Sequence, residues 1–203
     1  MLLMTSIIEA VRKEVEHLNR EIAKAVERPS WEMLRRFVQN QLYIVPHDLK
    51  ALSVAMAKAR APDEYTFVKM LVDGDYAAYN ALLKLAEELR VEFRWRDIDP
   101  AAVAYTHFLS WLALHGTLGD LAVALVVNLP VWGANCLKLA EWARANGVKH
   151  VEFLEIFKGP YHELERLAEE VARRYEDMEK YIYVAKAIQR YELDFWRAIA
   201  SSI

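Results

Sequence analysis

The segment from Tyr105 to Trp132 constrains the fold most, because it is the most apolar part of the chain and must be covered by other elements. Its longest uninterrupted apolar run, Leu121–Val127, is far too short to span a membrane, and Asn128 follows it directly. A buried amide without a hydrogen-bond partner would cost about 1–3 kcal/mol. Either the fold or a ligand must therefore satisfy Asn128.

The composition favours one large helical domain over residues 1–203. Hydrophobic residues make up 55% of the 203 positions, which allows a substantial core. Six glycines and six prolines are few for an all-β protein with many tight turns. The net charge of −3 indicates no basic nucleic-acid surface. Cys136 is the single cysteine, so neither an internal disulfide nor a cysteine-rich metal site is expected.

The N-terminal sequence MLLMTSIIEAVRKEVEHL indicates a cytoplasmic protein without a membrane anchor. Only four residues precede Thr5, and apolar and charged residues then alternate at helical spacing. A signal peptide would need a longer uninterrupted apolar segment after a basic start.

Apolar residues that recur every three to four positions predict an all-α bundle of seven to eight helices. Gly74 is expected to interrupt the third helix, Pro46 to kink the second, and residues 91–99 to form a strand-like connector. The predicted helices cover approximately residues 3–27, 31–60, 62–90, 100–115, 117–145, 149–157, 160–175 and 177–200.

Polar side chains interrupt the apolar stripes of three separate helices, at Gln41, Asn128 and Glu192. Tyr105 adds a hydroxyl to an otherwise apolar segment. Each amide could be a core group satisfied by the protein, and Glu192 could form a structural ion pair. Alternatively, these faces converge on one cavity that holds a small ligand.

Aromatic residues follow two of these polar positions at helical reach. Trp132 lies four residues after Asn128, and Phe195 lies three residues after Glu192. Both rings could simply belong to the core. If the faces converge, however, they enclose an aromatic cavity with few polar groups, which suits a small planar ligand. Burial would raise the pKa of Glu192 and prepare it for general acid–base catalysis near neutrality.

Several motifs together resemble the TenA/thiaminase II family, which shares the haem-oxygenase-like helical fold with PqqC. The chain's YELDFW segment, Tyr191–Trp196, is similar to the family's C-terminal motif that carries the catalytic acid. DYAAYNALLK, Asp75–Lys84, and FLEIFKGPY, Phe153–Tyr161, resemble two further family segments. The stretches Tyr105–Asn128 and Leu34–Asp63 fit the helices that carry the pocket residues. The resemblance covers nearly the whole chain and implies the haem-oxygenase-like fold.

The resemblance assigns roles to seven positions. Glu192 matches the proton-shuttling acid, Phe195 an aromatic that packs on the ligand ring, and Tyr105 the pocket tyrosine. Cys136 lies two helical turns beyond Asn128 and is not expected to replace the family's nucleophile. Asn128 stands at the position of the family's nucleophilic cysteine, and Gln41 at that of the aspartate that binds the pyrimidine. Trp132 and Phe157 stand at the positions of two further pocket tyrosines.

These departures argue against cysteine-dependent thiaminase chemistry. An amide is a poor nucleophile, and glutamine lacks the charge that would pair with a protonated aminopyrimidine. We therefore expect a cofactor-free, TenA-like protein that hydrolyses an aminopyrimidine- or thiamine-type C–N bond by a non-cysteine route, with Glu192 activating water. The resemblance also implies a homo-oligomer, either a dimer or a tetramer.

Two alternatives remain at the level of sequence. One is a non-catalytic binder of a small heteroaromatic ligand. The other is an oxidase of the PqqC or di-iron type, although the last helix contains no histidine and we predict no metal ligands. His107 and His115 share a helix face but have few candidate partners elsewhere.

Overall fold

Long amphipathic helices build the structure, as the periodicity of the sequence predicts. The computed structural model describes residues 6–200. Within this range the chain forms nine α-helices in the order α1 (Ile7–Glu14), α2 (Glu16–Lys24), α3 (Trp31–Lys58), α4 (Pro62–Leu89), α5 (Pro100–His115), α6 (Leu118–Ala145), α7 (Glu152–Glu155), α8 (His162–Tyr175) and α9 (Met178–Ala200). The all-α prediction is confirmed.

The predicted N-terminal helix is divided into α1 and α2. Val15 separates them with φ −109° and ψ 7°, and its side chain is fully buried. The chain therefore turns at a residue of the apolar stripe whose side chain lies in the core. Residues 3–5 of the predicted helix lie outside the described range.

The prediction that Gly74 interrupts a helix is wrong, since α4 is continuous. A glycine inside a helix costs about 1 kcal/mol relative to alanine. Burial of Phe67 and Val68 before Gly74, and of Ala78 and Leu82 after it, outweighs that cost. Tertiary packing therefore decides this element.

The connectors also differ in detail from the prediction. The segment expected to be strand-like contains a short 3₁₀ turn, Trp95–Asp97, between extended residues. Helix α7 is a single turn rather than the predicted span of 149–157, and α8 begins only after the cis peptide Gly159–Pro160. Pro46 lies inside α3, which continues through it.

Buried side chains form two hydrophobic clusters, and five long helices contribute to both. Helices α1 and α8 belong to the first cluster, whereas α2 and α7 belong to the second. One part of α3, α4, α5, α6 and α9 packs in each cluster, and Tyr105 contacts both. The bundle therefore has a boundary between the clusters, where each of these helices passes from one to the other.

Helix α6 explains the exceptional hydrophobicity of the central segment. By length and composition this helix could span a membrane, with a mean hydropathy of 1.5 over its most apolar window. However, 72% of that window is buried inside the structure. A helix that is apolar on all sides is expected at the centre of a bundle, where α6 contacts α1, α8 and α9.

Gly74→Ala is expected to raise the free energy of unfolding by about 0.5–1 kcal/mol, because alanine is the better helix former. A Cβ at this position meets nothing within 4 Å. Gly133→Ala is expected to lower the free energy of unfolding instead, because its Cβ would overlap the backbone carbonyl of Phe157. Urea denaturation of both variants measures the two effects. A less stable Gly74→Ala protein would contradict the prediction.

Candidate functional site

A cavity of about 90 Å³ lies at the boundary between the two hydrophobic clusters. A single water molecule requires roughly 10–15 Å³, so the cavity has room for a small ligand. Its apolar walls come mainly from aliphatic side chains: Ile44, Val45, Leu52, Leu71, Leu109, Leu125 and Leu129. Polar groups and aromatic rings complete the lining.

All seven residues predicted for the site line this one cavity. They come from α3, α5, α6, α9 and the segment that follows α7. The sequence could not establish that Gln41 and Asn128 face a common space, and the structure brings them together. The complete set is Gln41, Tyr105, Asn128, Trp132, Phe157, Glu192 and Phe195.

Asn128 is satisfied by the protein. Its Nδ2 amide donates to Gln189 Oε1 at 2.7 Å and to Glu192 Oε2 at 2.5 Å. Gln189 in turn donates to Asn19 Oδ1 on α2. Both amide hydrogens of Asn128 are thus used to hold α6 against α9, and the interpretation of Asn128 as a satisfied core amide accounts for its donors.

A proline near Asn128 requires separate compensation. Pro130 has no N–H to donate to the carbonyl of Val126, one helical turn earlier. The Arg12 guanidinium donates to this carbonyl at 3.0 Å and also pairs with Glu165 at 2.5 Å. Helix α6 therefore continues past the cavity with this carbonyl satisfied by α1.

Glu192 has the environment of a general acid–base catalyst. The residue is 2% exposed, and burial raises its pKa to about 7. Hydrogen bonds from Asn128 and from Trp196 Nε1, the latter at 3.0 Å, oppose this shift by favouring the carboxylate. Both protonation states are therefore populated near neutrality.

Gln41 behaves differently from Asn128. It is 3% exposed and lines the cavity, yet its amide has no hydrogen-bond partner in the described part of the chain. The neighbouring Asn40 is satisfied, because it donates to the carbonyl of Arg36 and accepts from the Asp99 N–H at 3.0 Å. Of the two predicted amides, Gln41 is the one left for a ligand.

Two carboxyl groups that line the cavity are not among the residues predicted from the sequence. Asp48 lies on α3 and accepts a hydrogen bond from Thr106, whereas Asp75 lies on α4. Burial raises the pKa of Asp75 to about 7, and burial together with the charge of Asp75 raises the pKa of Asp48. The helical spacing could have predicted that Asp48 lines the cavity, because Asp48 lies seven residues after Gln41 and four before Leu52 on the same apolar stripe.

The hydroxyl of Tyr105 lies among these acids. Enclosure in the protein raises the pKa of Tyr105 well above its ordinary value, and the charges of Asp48, Asp75 and Glu192 raise it further. The pKa of Glu192, by contrast, is set by burial and by its own two hydrogen bonds. Tyr105 therefore lies within electrostatic reach of all three carboxyl groups of the cavity.

Trp132 and Phe195 are both core residues and cavity walls. Their ring centroids lie 5.5 Å apart, and Trp132 also stacks on Phe37 at 5.8 Å. Phe195 contacts Trp196 at 5.1 Å. This network fixes the orientation of the two rings that face the cavity.

Phe157 reaches the cavity through a close approach of its segment to α6. Gly133 leaves the space that the Phe157 carbonyl and the Tyr161 hydroxyl occupy. Tyr161 donates to that carbonyl, and its hydroxyl also lies 3.3 Å from the carbonyl oxygen of Leu129. The absence of a side chain at Gly133 thus places an aromatic ring at the site.

Cys136 lies apart from the cavity chemistry described above. Cys136 is fully buried, does not line the cavity, and has a pKa raised by burial. Within residues 6–200, no group of three or more His, Cys, Asp or Glu side chains is arranged to hold a metal ion. The oxidase alternative therefore remains a hypothesis without an identified ligand set.

The described chain is therefore an all-α bundle whose cavity is lined by carboxyl groups, amides and aromatic rings. The sequence matches the TENA/THI-4/PQQC family over residues 9–202, and the chain belongs to this family. This membership confirms the TenA-like, haem-oxygenase-like fold. Among curated proteins, none matches the sequence.

Solved structures of TenA homologues share the fold at low sequence identity. The homologue from Pyrococcus furiosus is 21% identical with a TM-score of 0.73, covering 96% of this chain and 100% of that one. The P. horikoshii OT3 homologue is 17% identical with a TM-score of 0.73, covering 96% and 98%. The Pseudomonas syringae homologue is 10% identical with a TM-score of 0.76, covering 94% and 91%. These similarities establish the common fold.

Asp75→Asn is expected to become more stable relative to the wild type as the pH rises from about 4 through about 7. A carboxyl whose pKa is raised to about 7 in the folded state binds protons more tightly there than in the unfolded chain. Its contribution to stability is therefore lost over this interval, at most about 1.4 kcal/mol per pH unit.

Urea denaturation at several pH values measures this difference. Asp73→Asn is the matched control, because Asp73 lies on the exposed face of α4 and pairs with Lys69. A difference between wild type and Asp75→Asn that does not change with pH would contradict the prediction.

Proposed function

We propose that this TenA-like protein hydrolyses the C–N bond of an aminopyrimidine- or thiamine-type ligand without a covalent cysteine intermediate. The observation that carries the proposal is Glu192, a carboxyl buried at the cavity with a pKa raised to about 7. A group with this pKa can accept and return a proton near neutral pH.

The proposed step begins with a water molecule beside the ionised Glu192. The carboxylate removes a proton from the water, the oxygen forms a bond to the carbon, and the C–N bonding electrons leave with the nitrogen. Where the leaving group is an amine, Glu192 returns the proton to that nitrogen. The products are then an alcohol and an amine, and the enzyme is restored to its initial state. Where the leaving group is the thiazolium of a thiamine-type ligand, it departs as a neutral thiazole, and Glu192 releases its proton to solvent.

The surroundings of Glu192 support this assignment. Asn128 and Trp196 each donate to one carboxylate oxygen, which fixes the orientation of the group. Trp132 and Phe195 provide aromatic faces on which a planar ring can pack. Asn128 supplies no thiolate, so Glu192 is the candidate for activating the nucleophile.

A non-catalytic ligand binder is the second candidate. It is favoured by the donors of Asn128, which are fully engaged in structural hydrogen bonds at the position that resembles the family's nucleophile. Thermal shift assays with thiamine, aminopyrimidines and their phosphates test whether the cavity binds such ligands, since a ligand in excess of its Kd raises stability. No shift with any of them would contradict both candidates.

Glu192→Gln is expected to lower kcat for pyrimidine release by about 10²–10⁴-fold, the usual contribution of a general acid–base group. For the wild type, kcat/KM should rise through pH 7, because Glu192 must be ionised to accept the proton. Chromatography of released pyrimidine measures both effects.

Glu179→Gln is the matched control, since Glu179 is an exposed carboxylate on the same helix. Release that persists in Glu192→Gln would contradict the catalytic role. Ligand binding by the wild type without any release would favour the binder instead.

We also propose that the protein forms a homo-dimer or homo-tetramer. Aromatic side chains remain on the surface, including Trp95 at 71% and Tyr183 at 58% exposure, and such residues are enriched at interfaces. Multi-angle light scattering is expected to give two or four times the mass of one chain. The mass of a single chain at micromolar concentration would contradict the proposal.

A further inference from the structure

Several polar groups that line the cavity lack a hydrogen-bond partner in the described part of the protein. Thr106 occupies one oxygen of Asp48, while Gln41, Asp75 and Tyr105 make no side-chain hydrogen bond within the described residues. Gln41 is 3% exposed and Asp48 is 8% exposed, so bulk water does not compensate them fully. A buried polar group without a partner costs about 1–3 kcal/mol. The cavity is therefore suited to a ligand that supplies hydrogen-bond donors.

The two aspartates also create a charge problem that the described protein does not solve. No Lys, Arg or His side chain is among the described residues that line the cavity. Two carboxylates in an apolar cavity repel each other, and each loses hydration. Either protons or a cation must neutralise the pair.

We propose that Asp48 and Asp75 bind a cationic nitrogen group of the ligand, with the Gln41 carbonyl oxygen as a further acceptor. The proposal rests on the proposed function in one respect, namely that this cavity holds the substrate. The ligand class is then a planar ring that carries an amidinium or ammonium group. Its N–H donors would pair with acceptors that otherwise lack partners.

The negative charge for ligand recognition lies on Asp48 and Asp75 and not on Gln41. The position that resembles the family's aspartate is Gln41, which is neutral, and Asp48 follows it two helical turns later on the same face of α3. Asp75 approaches from α4. Asp48 and Asp75 therefore supply the cavity with the negative charge that Gln41 lacks.

The aspartate pair and Glu192 would then have separate tasks. Tyr105 lies within electrostatic reach of Asp48, Asp75 and Glu192, whereas the pKa of Glu192 shows no contribution from either aspartate. Asp48 and Asp75 would recognise the charge, and Glu192 would transfer the proton. A cationic ligand would be oriented with its charged group away from Glu192.

Benzamidine and benzamide provide a matched pair of probes. They have the same planar shape, but only benzamidine carries a positive charge. Isothermal titration calorimetry at pH 8 is expected to show benzamidine binding at least about tenfold more tightly to the wild type. Asp48→Asn and Asp75→Asn should each weaken this preference, and the double substitution should abolish it, while the protein remains folded. Asp73→Asn, on the exposed face of α4, should retain the preference.

Proton release gives a second readout that a purely structural role would not affect. Among the described residues, the ionisable side chains that line the cavity are Asp48, Asp75, Tyr105 and Glu192, and α6 contributes none. With the pKa of Asp75 near 7, benzamidine affinity should rise about tenfold from pH 6 to pH 8, because the cation selects the ionised carboxylates. Titrations in buffers of different ionisation enthalpy should show protons released on binding.

Equal binding of the two probes to the wild type would overturn the proposal, as would a preference that survives both aspartate substitutions. Failure of both probes to bind at millimolar concentration would also overturn it. The hydrolytic proposal is judged separately, by pyrimidine release and its loss in Glu192→Gln. Pyrimidine release without any preference for benzamidine would refute the cation site and leave the hydrolytic proposal intact.

Discussion

The hydrogen bond from Asn128 to Glu192 is the interaction on which the site depends. It joins the central helix α6 to the last helix α9 at the boundary of the two hydrophobic clusters, with a donor–acceptor distance of 2.5 Å. Without it, one carboxylate oxygen and one amide N–H would lose a buried partner, at a cost of about 1–3 kcal/mol for each group. The same contact orients the proposed catalytic acid, so that structural stability and proposed chemistry share one pair of side chains.

The cavity is a consequence of how the core is divided. On α6, Asn128 lies between Val127 in the first cluster and Val131 in the second, and on α9, Glu192 lies between Ile188 and Leu193 in the same way. The aliphatic side chains do not close the space around Asn128 and Glu192, because close apolar packing would desolvate these polar groups. A space with polar groups then remains at the centre of an otherwise dense bundle. Small ligands commonly bind in cavities of this kind.

The polar groups of the cavity fall into two sets with different physical roles. Asn128 and Glu192 are held by neighbouring side chains, so their positions are fixed before any ligand arrives. Gln41 and Asp75 have no partner in the described residues, so a ligand would complete them. The first set suits proton transfer and the second suits recognition.

The sequence by itself determined the helices, the fold class and seven residues that meet at the cavity, because helical periodicity and family motifs are encoded locally. It missed Asp48 and Asp75, since an acid on a half-buried helix face looks the same whether it faces solvent or a cavity. It also misjudged Gly74, where long-range burial outweighs a local preference of about 1 kcal/mol. Only the tertiary structure decided that Asn128 is satisfied while Gln41 is not, because hydrogen-bond partners from distant helices are specified by packing and not by spacing along the chain.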